Sequence, residues 1–181
     1  MSIAQKIAVL FGGFRSPNLL PNSRWIGAGP PTSWSSLFGT GTAAANGEIN
    51  GNTIYRFTAS ATRPALAKPG GVALGTSGSL TLSVYVDAVY SGSDQINDLV
   101  GWASLPAGAT ATAYSVNGAS APSTTVAVAG MRVGLTVTSG GTAGTPIPRV
   151  GPGCSGAATV DIDLSRPQVN ADARPSRYNA T

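Results

Sequence analysis

The sequence predicts an all-β protein, built as a sandwich or barrel of antiparallel strands. One observation is the frequency of turns: the 181 residues include 24 glycines and 13 prolines, and short segments rich in Gly, Pro, Asn and Ser recur along the chain. The other is the length of the intervals between these segments, which is typical of strands. After the first 16 residues the sequence predicts no helix. Many short strands at such spacing are typical of antiparallel sandwiches and barrels.

Three intervals alternate apolar and polar residues, as a strand with one buried face does. The clearest is residues 80–90, and residues 131–137 and 158–164 repeat the pattern. In the first interval the apolar positions are Leu80, Leu82, Val84, Val86 and Ala88. Weaker alternation predicts four further strands, at residues 53–59, 99–104, 110–116 and 123–129.

The first 16 residues place apolar side chains at helical spacing and predict a short amphipathic helix. Its apolar stripe either docks on the core of the chain's own domain or binds a partner chain, and its terminal position favours the partner. We therefore divide the chain into an N-terminal attachment segment, residues 1–16, and one β domain, residues 17–181. The side chains assigned to assembly are Ile3, Ile7, Leu10, Phe11 and Phe14.

Charge and cysteine content argue against several classes of protein. Lysines and arginines exceed acids by 11 to 7, but they are scattered singly, so no nucleic-acid surface is predicted. The single cysteine excludes an intramolecular disulfide. The apolar run at residues 7–11 is too short to span a bilayer, and no export signal is expected. A particle assembled in the cytoplasm and released by lysis meets these conditions, as does an ordinary cytoplasmic protein.

The chain offers little for catalysis. It has no histidine, which removes the commonest general base and the commonest transition-metal ligand. Seven acids remain, and a glycosidase needs a matched pair, but their setting in the sequence indicates none. Glu48 lies in a predicted turn, and Cys154 has no base beside it. We predict no catalytic residue, no metal site and no cofactor.

Aromatic side chains are the residue class best suited to carry a ligand, because a flat apolar ring stacks on a sugar. The candidates for glycan stacking are Tyr85, Trp102 and Tyr114. For each tryptophan the preferred interpretation is burial in the core. Tyr85 alternates with apolar neighbours, so it is expected on the opposite, accessible face of its sheet.

Three separated landmarks resemble one family of domains. Residues 18–23, NLLPNS, are similar to the opening of that family, and Trp34 follows after a turn. Residues 80–88, LTLSVYVDA, are similar to its central strand. Residues 168–181 keep the spacing of its closing pattern at Gln168, Ser176, Tyr178 and Thr181. Over residues 18–181 the chain thus resembles the carbohydrate-binding-module-like jelly-roll domains of tailed-phage virion proteins.

This resemblance implies an antiparallel jelly-roll β-sandwich and a non-enzymatic structural role on the head or tail of a virion. It implies assembly in the host cytoplasm, with other virion proteins and further copies of the chain as partners. A carbohydrate-binding module or host-surface adhesin, with a host glycan as ligand, is the alternative. A glycan hydrolase is less favoured.

The sequence departs from the family pattern at several positions. Asn170 and Asp172 replace the usual Glu and Gly of the closing pattern. In carbohydrate-binding relatives the opening motif is commonly followed by an acid that helps to hold calcium. At the equivalent place this chain has Ser23, Arg24 and Trp25, and no acid. Asp161 and Asp163 share a predicted strand face, but two carboxylates are fewer than calcium requires. A solvated polar face is the preferred interpretation of that pair.

Overall fold

The computed structural model of the chain describes residues 17–26, 31, 33–37, 42–60, 65–92, 96–122, 129–154 and 159–172. Within these ranges the regular structure consists of strands, and all of the strand pairs are antiparallel. The strands are β1 (Ser35–Leu37), β2 (Thr42–Ile49), β3 (Asn52–Ser60), β4 (Ala65–Ala67), β5 (Ser79–Ser91), β6 (Ile96–Ala103), β7 (Thr110–Val116), β8 (Ala119–Ala121), β9 (Arg132–Thr138), β10 (Ile147–Cys154) and β11 (Thr159–Asn170). The predicted all-β, antiparallel fold class is confirmed.

The strands form two sheets. The smaller has the order β1-β4-β10-β6, and the larger has the order β2-β3-β11-β5-β9-β7-β8. Buried side chains of both sheets, among them Leu66 and Val150 of the smaller and Leu82 and Ile162 of the larger, belong to one hydrophobic core. The arrangement is therefore that of a β-sandwich, in which two sheets bury their inner faces against each other.

Alternation along the central strands explains how this core forms. In β5, Leu80, Leu82, Val84 and Val86 are at most 2% exposed, and each fully buried aliphatic side chain contributes about 1.5–3 kcal/mol. Four aromatic residues pack together in one part of the core. Trp25 meets Trp34 and Tyr55 edge to face at centroid distances of 5.5 and 5.4 Å, and it also contacts Phe57.

The predicted strands at 53–59, 80–90, 99–104, 110–116 and 131–137 correspond to β3, β5, β6, β7 and β9. The predicted strand at 158–164 is β11, but β11 continues to Asn170 instead of ending at Leu164. The predicted amphipathic helix at 1–16 lies outside the described residues. So do residues 123–128 of the predicted strand 123–129, while Ala129 lies in a turn.

The predicted turn around Glu48 is shorter than expected. Glu48 lies in β2, and only Asn50 and Gly51, at φ values of 50° and 74°, form the turn between β2 and β3. Two successive residues with positive φ are the mark of a type I′ hairpin turn, which asparagine and glycine favour. Gly47 is instead placed at a bulge in β2, where the register shifts between Ala45 and Glu48.

Candidate functional site

The two ends of the described chain meet at Asn18. Its side-chain Oδ1 accepts hydrogen bonds from the backbone N–H groups of Leu20 and Val169, both at 3.1 Å, and its Nδ2 donates to the carbonyl of Pro167 at 3.2 Å. The backbone N–H of Leu19 donates to the carbonyl of Val169 at 2.9 Å. We call residues 18–20 with residues 167–169 the Asn18 junction. It is buried, since Asn18 is 7% exposed and Val169 is fully buried.

A bulge in β11 aligns the junction with its neighbours. Arg166 has a φ of 54°, and the register with β5 shifts between Ser165 and Gln168. Pro167 has no N–H to lose from the sheet, so a bulge is a place where a strand tolerates proline. After the bulge the strand resumes, and Val169 pairs with Leu82 of β5.

The same bulge places Arg166 over the outer face of the larger sheet, which is the face directed away from the core. Its Nη2 donates to the Oδ1 of Asp87 at 2.8 Å, and its guanidinium carbon lies 3.9 Å from the ring centroid of Tyr85. Arg132 is 6% exposed and lies 5.3 Å from the same centroid. It donates to Ser83 and, at 2.6 Å, to Gln168. We call Tyr85 with these five neighbours the Tyr85 cluster.

A second polar group lies on the same outer face, around Asp163. This carboxylate is 4% exposed and accepts hydrogen bonds from Arg56, from Asn46 and, at 2.9 Å, from the hydroxyl of Tyr90. Asp161 lies 3.6 Å from Arg56. The Arg56 guanidinium also stacks on the ring of Tyr90, 3.9 Å from its centroid. We call these five residues the Asp163 cluster.

The Asp163 cluster shifts two pKa values. The hydrogen bond to Asp163 raises the pKa of Arg56, with the charge of Asp163 adding to the effect against an opposing contribution from burial. The hydrogen bond that Tyr90 donates to Asp163 raises the pKa of the phenol, because ionisation would remove the donated proton and place a second negative charge beside a carboxylate. Burial adds to this rise in the pKa. Both shifts keep these groups in the forms that hold the cluster together.

The two clusters use their carboxylates as hydrogen-bond acceptors. Asp163 serves three donors and Asp87 is paired with Arg166, so neither is arranged as an acid beside an opposed nucleophile. The predicted solvated face is wrong for Asp163, because Arg56 and Tyr90 contact it and it is buried. Asp161 remains partly exposed. Among the described residues no three potential ligands group into a metal site.

The structure does not bring the three predicted glycan-stacking residues together. Tyr85 pairs with Arg132 and lies on the outer face, as alternation predicted, but two guanidinium groups lie close to its ring. Tyr114 pairs with Leu135 and packs against the core, on the inner face. Trp102 belongs to the smaller sheet and donates from Nε1 to the carbonyl of Leu135 at 3.0 Å. For Trp25 and Trp34 the predicted burial in the core is confirmed.

A small pocket of about 200 Å³ lies at the β7–β8 hairpin. Its lining is neutral, and its side chains are mostly small. The residues are Ala113, Tyr114, Ser115, Gly118, Ala119, Ser120 and Thr136. With neither an acid nor a base in the lining, the pocket offers no group for proton transfer at neutral pH.

Sequence reasoning missed the roles of Asn18, Arg132 and Gln168. Each makes contacts with residues far away in the chain, and Asn18 and Pro167 are 149 positions apart. The signal available was the position of Asn18 and Gln168 at the heads of the opening and closing landmarks. Arg132 carried no such signal, because a single arginine in an alternating strand is ordinarily solvated.

Searches of protein-family models, of curated proteins and of solved structures found no match to this chain. In the described ranges no helix has the length and apolar character needed to cross a membrane.

Proposed function

We propose that this chain is a non-enzymatic structural protein of a tailed-phage virion, a head decoration, fibre or tail component that displays a jelly-roll module. Residues 1–16 attach it to other virion proteins, and it works as a homo-oligomer. The proposal rests on the resemblance of its three sequence landmarks to virion domains. It also rests on what those landmarks do in the fold.

The observation that carries the proposal is that the described parts of the three landmarks contact one another. Ser176, Tyr178 and Thr181 of the closing landmark lie outside the described residues. The opening landmark contributes Asn18 and Leu19, which bond to Pro167 and Val169 next to Gln168 at the start of the closing landmark. Val169 in turn pairs with Leu82 in the central landmark. Segments that a family shares for the sake of its fold are expected to touch in this way, whereas chance similarities have no reason to do so.

The sheet orders support the jelly-roll assignment. Strands β3, β4, β5 and β6 alternate between the two sheets, and the last two strands insert between them, β11 between β3 and β5 and β10 between β4 and β6. A jelly roll closes in this manner, because two nested Greek keys place late strands beside early ones. The β7–β8 hairpin extends the larger sheet beyond β9 and is an addition to that plan.

A structural role is supported by how the polar residues of the outer face are used. The carboxylates of the Tyr85 and Asp163 clusters bond to arginine, asparagine and tyrosine side chains within the same sheet. Such networks specify and rigidify a surface. A catalytic acid must instead be accessible to the substrate, whereas these carboxylates are occupied by hydrogen bonds within the sheet.

The test is to locate the chain on particles. Gold-labelled antibody against the purified protein should decorate one position of gradient-purified virions in electron micrographs, and the chain should co-sediment with them. Pre-immune antibody on the same particles is the control. Recovery of the chain only from the soluble part of the lysate, with unlabelled particles, would overturn the proposal.

A further inference from the structure

Three asparagine–glycine pairs occur in the described residues, at 46–47, 50–51 and 117–118. In such a pair the backbone nitrogen of the glycine attacks the side-chain carbonyl carbon of the asparagine, because glycine has no Cβ to obstruct the approach. The new N–C bond forms, the bond to the side-chain nitrogen breaks, and that nitrogen leaves as ammonia with the proton that the glycine N–H has lost. Water then opens the resulting succinimide to aspartate or to isoaspartate. Water is the only co-reactant.

Two of the three asparagine side chains are held by hydrogen bonds. Nδ2 of Asn46 donates to both carboxylate oxygens of Asp163, at 3.0 and 3.3 Å. Oδ1 of Asn117 accepts from the backbone N–H of Arg132 at 2.8 Å, and the N–H of Asn117 donates to the carbonyl of Arg132 at 2.7 Å. Either side chain must break its bond before it turns onto the following glycine, so the fold slows both reactions.

Asn50 is placed differently. Like Asn46 and Asn117 it is exposed, here at the tip of the β2–β3 hairpin, but within the described residues its carboxamide makes no hydrogen bond. Its backbone carbonyl accepts one from Asn52. The space around Gly51 is open, as it is around Gly47 and Gly118, since a Cβ built on any of the three would meet nothing within 4 Å. The three pairs therefore differ in their hydrogen bonds and not in the space around their glycines. Nothing therefore has to be displaced before the Asn50 side chain approaches the backbone nitrogen of Gly51.

We propose that Asn50 is the site at which the folded protein is modified spontaneously, by conversion to aspartate or isoaspartate, ahead of Asn46 and Asn117. The product adds a negative charge two residues from Glu48, at an outer strand of the larger sheet. Isoaspartate also lengthens the backbone within a two-residue turn, so the hairpin loses its type I′ geometry. The modification thus accumulates with the age of the protein and alters one edge of the sandwich.

The experiment follows all three pairs in the full-length protein at mildly alkaline pH, once folded and once in denaturant. Peptide mass mapping measures deamidation, and labelling by an isoaspartyl methyltransferase identifies isoaspartate. In the folded protein Asn50 should convert several-fold faster than either other asparagine. In denaturant the three rates should converge, because the hydrogen bonds of Asn46 and Asn117 are lost.

The matched control is Asn50→Gly, since glycine also suits the first central position of a type I′ turn. It should abolish the labelling at the turn between β2 and β3 and leave the rates of Asn46 and Asn117 unchanged. If Asn46 or Asn117 converts as fast as Asn50 in the folded protein, the proposal is wrong. The proposal is also wrong if the ratios of the three deamidation rates are the same in the folded and the denatured samples, because the fold would then have no part in the selection.

Discussion

Asn18 joins residues that lie about 150 positions apart, and it does so with one buried carboxamide. Two backbone N–H groups and one carbonyl depend on it for hydrogen bonds: those of Leu20, Val169 and Pro167. A buried backbone group without a partner loses the bonds it had with water, so each of these groups needs Asn18. Its side chain therefore belongs to the structural core although it is polar.

Replacing Asn18 with alanine should destabilise the fold by about 2–4 kcal/mol, the cost of leaving two or three buried polar groups unsatisfied. Urea unfolding followed by circular dichroism measures the loss. Leu19→Ala is the control, because Leu19 is 37% exposed and uses its backbone in the junction. Equal midpoints for Asn18→Ala and the unaltered protein would show that the junction does not hold the two ends together.

Tyr90 gives a prediction about pH. Its hydrogen bond to Asp163 raises its pKa, so in Asp163→Asn the pKa should fall toward or below the ordinary value of about 10. Because the folded-state pKa lies above the unfolded one, the bond contributes stability below pH about 10 that is lost as pH rises through the folded-state pKa. Nuclear magnetic resonance titration of the ring measures the shift, with Tyr90→Phe assigning the signal. An unchanged pKa in Asp163→Asn would contradict the assigned hydrogen bond.

At the level of single residues, the sequence predicted the sheet face on which a side chain lies but not the side chains that contact it. Alternation placed Tyr85 on the outer face correctly, since strand geometry fixes that parity. The two arginines near its ring come from β9 and from the bulge in β11, and neither pairing follows from local sequence. Whether Tyr85 and Tyr114 share a face could not be predicted for the same reason, because it depends on which strands are neighbours.

At the scale of elements, β11 and β10 show what alternation detects and what it misses. The first half of β11 alternates regularly, and the predicted strand stops at Leu164, before Arg166 and Pro167. A bulge absorbs both residues, and the strand continues to Asn170. No strand was predicted at β10, since Pro148, Gly151 and Pro152 are typical of turns. Its register shifts after Val150, where a bulge accommodates such residues.

The end of β11 should be needed for stability. Deleting residues 167–181 removes four residues of β11, including buried Val169, together with the C-terminal partners of Asn18. We expect a loss of about 4 kcal/mol or more, from one large apolar side chain and several hydrogen bonds. Thermal unfolding of this variant measures it, beside a variant lacking only residues 173–181, which keeps all of β11. If the variant with the longer deletion has the same melting temperature as the full-length chain, the closing landmark has no structural role.

At the scale of the whole molecule, sequence reasoning reached the fold class and stopped before the order of strands. Turn frequency and alternation are local properties, and they sufficed for an antiparallel all-β chain. The insertion of β11 between β3 and β5, and of β10 between β4 and β6, is set by packing between strands as much as a hundred residues apart. Of the sequence observations, only the resemblance of the three landmarks to jelly-roll domains bears on that long-range order.

The same scale carries the prediction for residues 1–16. The described hydrophobic core consists of side chains from Leu20 onward, so the domain has a hydrophobic centre of its own. Five apolar side chains at helical spacing in the first 16 residues, fully buried on a partner, would contribute about 7–15 kcal/mol before ordering costs. We therefore predict that they attach the module to the virion.

Deleting residues 1–15 should leave a folded domain that no longer incorporates into particles or oligomerises. Circular dichroism checks the fold, and sedimentation with virions and size-exclusion chromatography check assembly. The matched control replaces polar Gln5 with alanine and keeps the apolar stripe, so it should assemble normally. A deletion that unfolds the domain would place the segment in the core. A deletion that folds and assembles would locate the contact elsewhere, because the stripe would then be dispensable for both.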